Sequence, residues 1–315
     1  MTTGTPTTVP AAADALRRGR RRPGEAVIKV LLVAAALVSI ATTVGIILSL
    51  VAPAFAFVRH AGVVEFLTGT KWTPHFADQH FGVLPLVLAT LWVTVIALTL
   101  AIPLGLGSAI YLAEYATDRA RRAVKPILEV LAGVPTVVYG FFALYAINGV
   151  LRDNWPTDKG PGFFNLLVAG VAMGFMIVPT VASVAEDAMS AVPRSLREGA
   201  YALASSKMQV ATRVVIPAAI SGIVAAFVLG ISRAVGETMI VTIAGGLISD
   251  SMPWNPLEGA ATMTAYIANI ASGDIPVTSI EYQSVFAVGA LLFVFTFALN
   301  AVSIRLVRRF REVYE

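Results

Sequence analysis

Six stretches of this chain run for more than twenty residues almost without charge, at positions 30–58, 81–113, 130–151, 160–185, 214–248 and 282–304. Each is long enough to cross the ~30 Å apolar core of a bilayer, which takes about 20 helical residues. No water is available there to satisfy backbone N–H and C=O groups, so each run is expected to be a helix. The alternating period of a barrel strand is missing. The pattern predicts an all-α integral membrane protein with six transmembrane helices.

Composition agrees. Of 315 residues, 57% are hydrophobic and 13% charged, whereas soluble domains are about a quarter charged. The net charge of +4 does not point to nucleic acid, because the basic residues sit at the ends of apolar runs. On one side fall Arg17, Arg18, Arg20, Arg21, Arg22 and Lys29, then Arg119, Arg121, Arg122 and Lys125, then Arg194, Arg197, Lys207 and Arg213, and finally Arg305, Arg308, Arg309 and Arg311. The other side has Arg59, Lys71, Arg152 and Lys159. That asymmetry places both termini in the cytoplasm. The run at 30–58 is too long for the apolar part of a cleaved signal, about 7–15 residues, and reads as an uncleaved anchor. Residues 1–25 have no apolar period and read as a disordered cytoplasmic tail. Absence of cysteine excludes a disulfide framework and thiolate metal sites.

The outer loop 59–80 holds His60, His75 and His80. His75, Asp78 and His80 match no recognised metal spacing, so no metal is expected, and Trp72 reads as an interfacial anchor. The last outer loop, 249–283, carries Asp250, Glu258, Asp274 and Glu281 and no cation. Met263, Ile267 and Ile270 within it have helical spacing, which predicts a short helix lying on the bilayer. This loop equally suits docking of an extracytoplasmic partner. Glycine and proline at 101–109, 133–140 and 178–183 read as kinks and close-packing points. No Walker A sequence occurs, so P-loop nucleotide hydrolysis is excluded and no cofactor is implied.

The connection 193–217, "PRSLREGAYALASSKMQVATRVVIP", is the most organised. Ser195 with Glu198 and Ser206 with Gln209 form two capping boxes, predicting helices that start near Leu196 and near Lys207. Pro217 limits the second by disfavouring helical geometry before it. Met208, Ala211 and Val215 can form one apolar stripe, with Lys207 and Arg213 facing water. Such a knob either lies on lipid or fits a cleft on a cytoplasmic partner.

The segment "EGAYALASSKMQVATRVVIP" resembles the coupling loop of ATP-binding-cassette importer permeases, matching at Glu198, Ala200, Ala202, Leu203, Ile216 and Pro217. It departs from that pattern at Gly199, where alanine is usual, and at Ala204, where glycine is usual. Alanine resists the positive φ that glycine allows, which bears on the turn between the helices. "LAEYA" at 112–116, "GVPTVVYGFFAL" at 133–144 and "SRAVGETMIVT" at 232–242 are similar to the phosphate permeases of the PstC type. The resemblance, which covers about residues 80–305, implies a MetI-like type I importer permease with its core at 81–315 and a coupling loop at 193–217, while the first apolar run and the loop after it make 26–80 a first transmembrane helix and outer loop. It also implies residence in a prokaryotic plasma membrane and three partners: a PstA-like second permease, a PstB-like ATPase dimer and a PstS-like phosphate-binding protein.

Arg233 and Glu237 are the two charges inside the fifth run. A charge at mid-bilayer costs about 2.5–3.5 kcal/mol or more, so intramembrane ionisable residues are functional candidates by default. Four apart on a helix they can pair and merely tie the bundle. Replacing a buried pair by apolar groups is often neutral, however, so tying alone does not require ions. For an anion path arginine is the suitable cation, always charged and matching phosphate oxygens bidentately. The resemblance assigns Arg233 and Glu237 transport roles, and Gly230 and Gly236 are expected to admit a neighbouring helix. Permeases for sulfate, molybdate or phosphonate, and an ATP-independent secondary anion transporter, remain alternatives.

Overall fold

The computed structural model describes residues 23–74, 76, 78–156 and 160–309, the side chains of 23 and 306–309 excepted. The cations at positions 17–22, 159 and 311, the proposed tail up to residue 22, and His75 lie outside the described residues. The chain divides into two compact units, Met1–Ser49 and Leu50–Glu315. The first contributes the leading part of helix α1 (Pro23–Ala61), in which the large apolar side chains of Val27, Leu31, Leu37, Ile40, Val44 and Leu48 are exposed.

In the second unit α2 (Val63–Thr68) precedes α3 (Leu84–Ile110), which a π-helical turn, Tyr111–Tyr115, extends. Next come α4 (Asp118–Ala132), α5 (Thr136–Phe142), a π turn (Ala143–Ile147) and α6 (Asn148–Asp153). Beyond the long α7 (Leu166–Ser190) stand α8 (Arg194–Ala202), α9 (Lys207–Val210), a π turn (Ala211–Val215) and α10 (Ile216–Ala218). The chain ends with α11 (Ile220–Gly236), α12 (Met239–Ala244), α13 (Met263–Ser272) and α14 (Ile280–Arg309). Among the described residues there is no strand, only isolated bridges from Trp72 to Phe81 and to Ser249.

Four segments are long and apolar enough to cross a membrane: Gly24–Ala61, Leu84–Tyr115, Leu166–Ser190 and Ile280–Arg305. Two bent pairs raise the number to six, Asp118–Ala132 with Thr136–Asp153 at 88° and Lys207–Ala218 with Ile220–Gly236 at 73°. All six apolar runs thus find a helical counterpart, but the third and fifth are broken. In the third, Gly133 and Pro135 separate the charged, amphipathic α4 from α5, so we place α4 outside the spans.

The core is built where α3 and α7 run together. Ala89, Val93, Ala97 and Ala101 face Ala169, Ala172, Met173, Met176 and Ile177, all buried. Small residues permit this approach, since a β-carbon at Gly105 would lie 2.8 Å from Val181 and one at Gly174 2.8 Å from Leu100. Helix α11 lays Gly230 on the same surface, 3.2 Å from Val181 and 3.3 Å from Ile177 measured from such a β-carbon. Gly236 meets nothing within 4 Å in this chain.

Two outer-loop expectations are corrected. Trp72 is 4% exposed and packs edge-on against Phe66, Phe81 and Tyr266. It anchors a cluster of aromatic rings, which buries more surface than the headgroup region offers. The predicted helix over 263–270 exists as α13, capped by Thr262, but Met263, Ala265, Tyr266 and Ile270 are buried. It packs inside the fold, with the Met263 N–H donating to Thr90 Oγ1 at 3.1 Å, instead of lying on the bilayer.

Candidate functional site

Arg233 and Glu237 do not share a helix face. Arg233 is in the last turn of α11, about 20 Å along the axis from Ile220. Glu237 lies past the helix end in extended geometry, φ −68° and ψ 132°. Its carboxylate Oε1 accepts the backbone N–H groups of Met239 at 3.0 Å and Ile240 at 3.3 Å, the first orphan donors of α12. Its carbonyl accepts from Thr264 Oγ1 at 2.7 Å. The glutamate is 9% exposed and closes the break between α11 and α12, satisfying N–H groups that the start of α12 leaves without a helical partner.

Arg233 is half-buried, and among the described residues no carboxylate stands within ion-pairing distance of it. Tyr139 of α5 lies within electrostatic reach of Arg233. Its hydroxyl donates to the Leu131 carbonyl at 3.1 Å, bridging the bend between α4 and α5. The neighbouring Gly140 lets α5 sit on α12, where a β-carbon would meet Ile243 at 2.9 Å. A fixed positive charge beside a helix break is what the sequence separates from its apparent counter-ion.

The two-helix knob is present, with corrections. Helix α8 begins at Arg194 with Pro193 as its N-cap and no side-chain cap, so Ser195 and Glu198 form no capping box. Pro193 already fixes the entry with φ −56°, which puts Ser195 inside the first turn. The second box is formed: Ser206 Oγ accepts from the Gln209 N–H and Gln209 Oε1 accepts from the Ser206 N–H. Met208 is exposed, and the buried stripe is Val210, Ala211 and Val215. Lys207 lies over the Tyr115 ring, 5.2 Å from its centroid. Ile216 before Pro217 is helical, φ −61° and ψ −48°, because the π turn of Ala211–Val215 accommodates the ring. The chain bends two residues later, at Ala219.

Between α8 and α9, Ala204 holds φ 57°, the one non-glycine with positive φ among the described residues. The Ala204 N–H donates to the Tyr201 carbonyl at 2.9 Å and the Ser205 N–H to the Ala200 carbonyl at 3.2 Å. These bonds make a Schellman motif, normally completed by glycine. The turn is the one glycine would make, at alanine's steric cost. Gly199 is exposed and takes no special geometry, and Ala200 and Ala202 lie in the helix that turn ends. Leu203 projects from the tip, 84% exposed.

Sequence reading overlooked the ionic network beneath the knob. Arg197 donates from Nε and Nη2 to Glu114 Oε1 at 3.1 and 3.0 Å. It also donates from Nη1 to the Val192 carbonyl at 2.6 Å and from Nη2 to the Met189 carbonyl at 2.8 Å. Nearby, Glu186 is 1% exposed and receives Arg121, Lys125 at 2.8 Å and Ser190 at 2.8 Å. Lys125 also reaches Asp187 at 2.6 Å, and these carboxylates push its ammonium pKa up. Beside the network a cavity of about 370 Å³ is lined by Glu114, Arg121, Arg194, Arg197, Glu198 and Tyr201. The available signal was the placement of Glu114 and Glu186 directly after two apolar runs, opposite basic connections.

The chain matches the model of the "Binding-protein-dependent transport system inner membrane component" family over residues 101–312. It is 33% identical over 271 residues to a probable ABC transporter permease, YqgH of Bacillus subtilis, covering 85% of this chain and 86% of that one. It is 34% identical over 278 residues to phosphate transport system permease PstC 1 of Mycobacterium tuberculosis, covering 78% and 82%. Its fold is similar to a chain of a bacterial alginate ABC transporter, with TM-score 0.62 at 14% identity, covering 91% and 96%. A chain of the MetNI methionine ABC transporter, inward facing, gives TM-score 0.56 at 19% identity, covering 72% and 95%. With six apolar segments, a broken fifth and the two-helix knob in place, the chain belongs to this family of binding-protein-dependent, multi-pass membrane permeases of ABC importers.

Proposed function

We propose that this chain is one of two permease subunits of an ATP-driven phosphate importer and carries part of the anion path. Phosphate is favoured by relatives called phosphate permeases, 30–34% identical over three quarters or more of this chain. In this reading the partners are a PstA-like permease, a PstB-like ATPase dimer and a PstS-like binding protein. Both termini are cytoplasmic in a prokaryotic plasma membrane, and the knob at 193–217 is the ATPase-docking element. Its Ser195, Glu198, Gly199, Ala200, Ala202, Leu203, Ala204, Ile216 and Pro217 form or support the docking surface.

The observation that carries the path assignment is the separation of Arg233 from Glu237. The Glu237 carboxylate is engaged by the N–H groups of Met239 and Ile240, and among the described residues Arg233 makes no ion pair. Arg233 therefore offers its fork to a passing oxyanion, while Glu237 maintains the break that brings irregular backbone to mid-membrane. ATP-driven closure of the ATPase dimer pushes the knob, tilts the spans and opens this site toward the loaded binding protein. Hydrolysis resets it.

The test is uptake of radiolabelled phosphate into proteoliposomes containing the purified complex, with sulfate, molybdate and phosphonate as competitors. ATP-dependent uptake that excess sulfate and molybdate leave intact supports the reading. Uptake independent of any ATPase subunit favours a secondary transporter, and uptake displaced by another oxyanion reassigns the substrate.

A further inference from the structure

One guanidinium closes three elements at the base of the knob. Helix α7 ends at Ser190, and Arg197 donates to the Met189 carbonyl of its last turn, which also accepts from the Val192 N–H at 3.2 Å, and to the Val192 carbonyl just beyond it. The Glu114 carboxyl, 4% exposed in the π turn that ends α3, needs a counter-charge because an unpaired buried carboxylate is untenable. Arg197 supplies it while standing in the first turns of α8, and its own side chain is only 17% exposed. Lysine has the charge but presents its three donors from one nitrogen, not from the three nitrogens of a planar fork with which Arg197 reaches a carboxylate and two carbonyls.

From this geometry we infer that Arg197, held by Glu114, is the pin through which movement of the knob reaches the membrane helices α3 and α7. The inference rests on the reading of 193–217 as the ATPase-docking element, and deepens it by naming a positioning residue. The knob is also tied to α7 by the three residues between Ser190 and Arg194, and to the end of α3 by Lys207 over the Tyr115 ring and the Tyr115 hydroxyl on Met208 Sδ at 3.6 Å, while Arg197 joins α8 itself to the end of α3 through its ion pair with Glu114. Without the pin, α8 turns on residues 191–193 while the end of α3 stays. Held by the pin, it carries the ends of both helices with it.

The test uses the whole complex with Arg197→Lys and Glu114→Gln introduced separately. For each, ATPase co-purification, ATP hydrolysis with and without phosphate-loaded binding protein, and phosphate uptake per assembled complex are measured. The expected result is co-purification and ATP hydrolysis retained, stimulation by the loaded binding protein lost, and uptake per complex at least tenfold lower. Unchanged uptake per assembled complex in both variants overturns the pin. If Arg197→Lys does not assemble, Glu114→Gln decides alone, because its amide oxygen still accepts from the guanidinium while the charge is gone. Failure of the unaltered complex to bind an ATPase would instead refute the docking reading on which the inference rests.

Discussion

Arg233 and Glu237, four residues apart, stand on either side of a helix break, the arginine inside the last turn of α11 and the glutamate capping α12. A self-neutralising pair along one helix is therefore not what this chain contains. The two charges have different tasks, and substitutions separate them.

Glu237 is predicted to act through its capping oxygen. Glu237→Ala removes the acceptor for Met239 and Ile240 and is expected to cost about 1–2 kcal/mol, read as a lower thermal unfolding midpoint in detergent. Glu237→Gln keeps an oxygen in place and is expected to lose less than about 1 kcal/mol. Equal losses in the two variants would contradict capping as the basis.

The turn at Ala204 carries strain that glycine would release. A left-handed residue with a side chain costs about 1–2 kcal/mol, partly offset by the entropy glycine loses on folding. Ala204→Gly is accordingly expected to raise stability by about 0.5–1 kcal/mol, whereas Ala204→Val should lower it. Differential scanning of the purified permease pair measures both.

Leu203 is the most exposed large apolar side chain of the knob, so a charge there leaves the fold alone. Leu203→Asp should change the unfolding midpoint of the permease within error, since surface substitutions stay within about 0.5 kcal/mol. Co-purification of the ATPase subunits should fall at least tenfold. Retention of the ATPase by this variant would move the docking surface elsewhere.

The six apolar runs were legible because length and lack of charge dictate a membrane helix whatever the tertiary detail. The box at Ser206 was legible for the same reason, being local. Its counterpart at Ser195 failed because Pro193 set the helix start two residues earlier. Pro217 misled because a π turn absorbs a proline that an α-helix cannot, and π turns have no sequence period to read. Trp72 and α13 were placed at the bilayer surface when only tertiary packing could bury them together. The break at Glu237 was invisible because, Arg233 and Glu237 apart, the residues around it read as one continuous apolar helix. Arg197 passed unnoticed since its partners, Glu114 and two helix-terminal carbonyls, are distant in sequence or carry no side-chain signal.

The most direct measurement is ATP-driven phosphate uptake by the reconstituted complex with Arg233→Gln. The account predicts a complex that assembles and hydrolyses ATP normally but transports at least tenfold more slowly, with Arg233→Lys intermediate. Phosphate uptake by Arg233→Gln at the unaltered rate, per assembled complex, would contradict it.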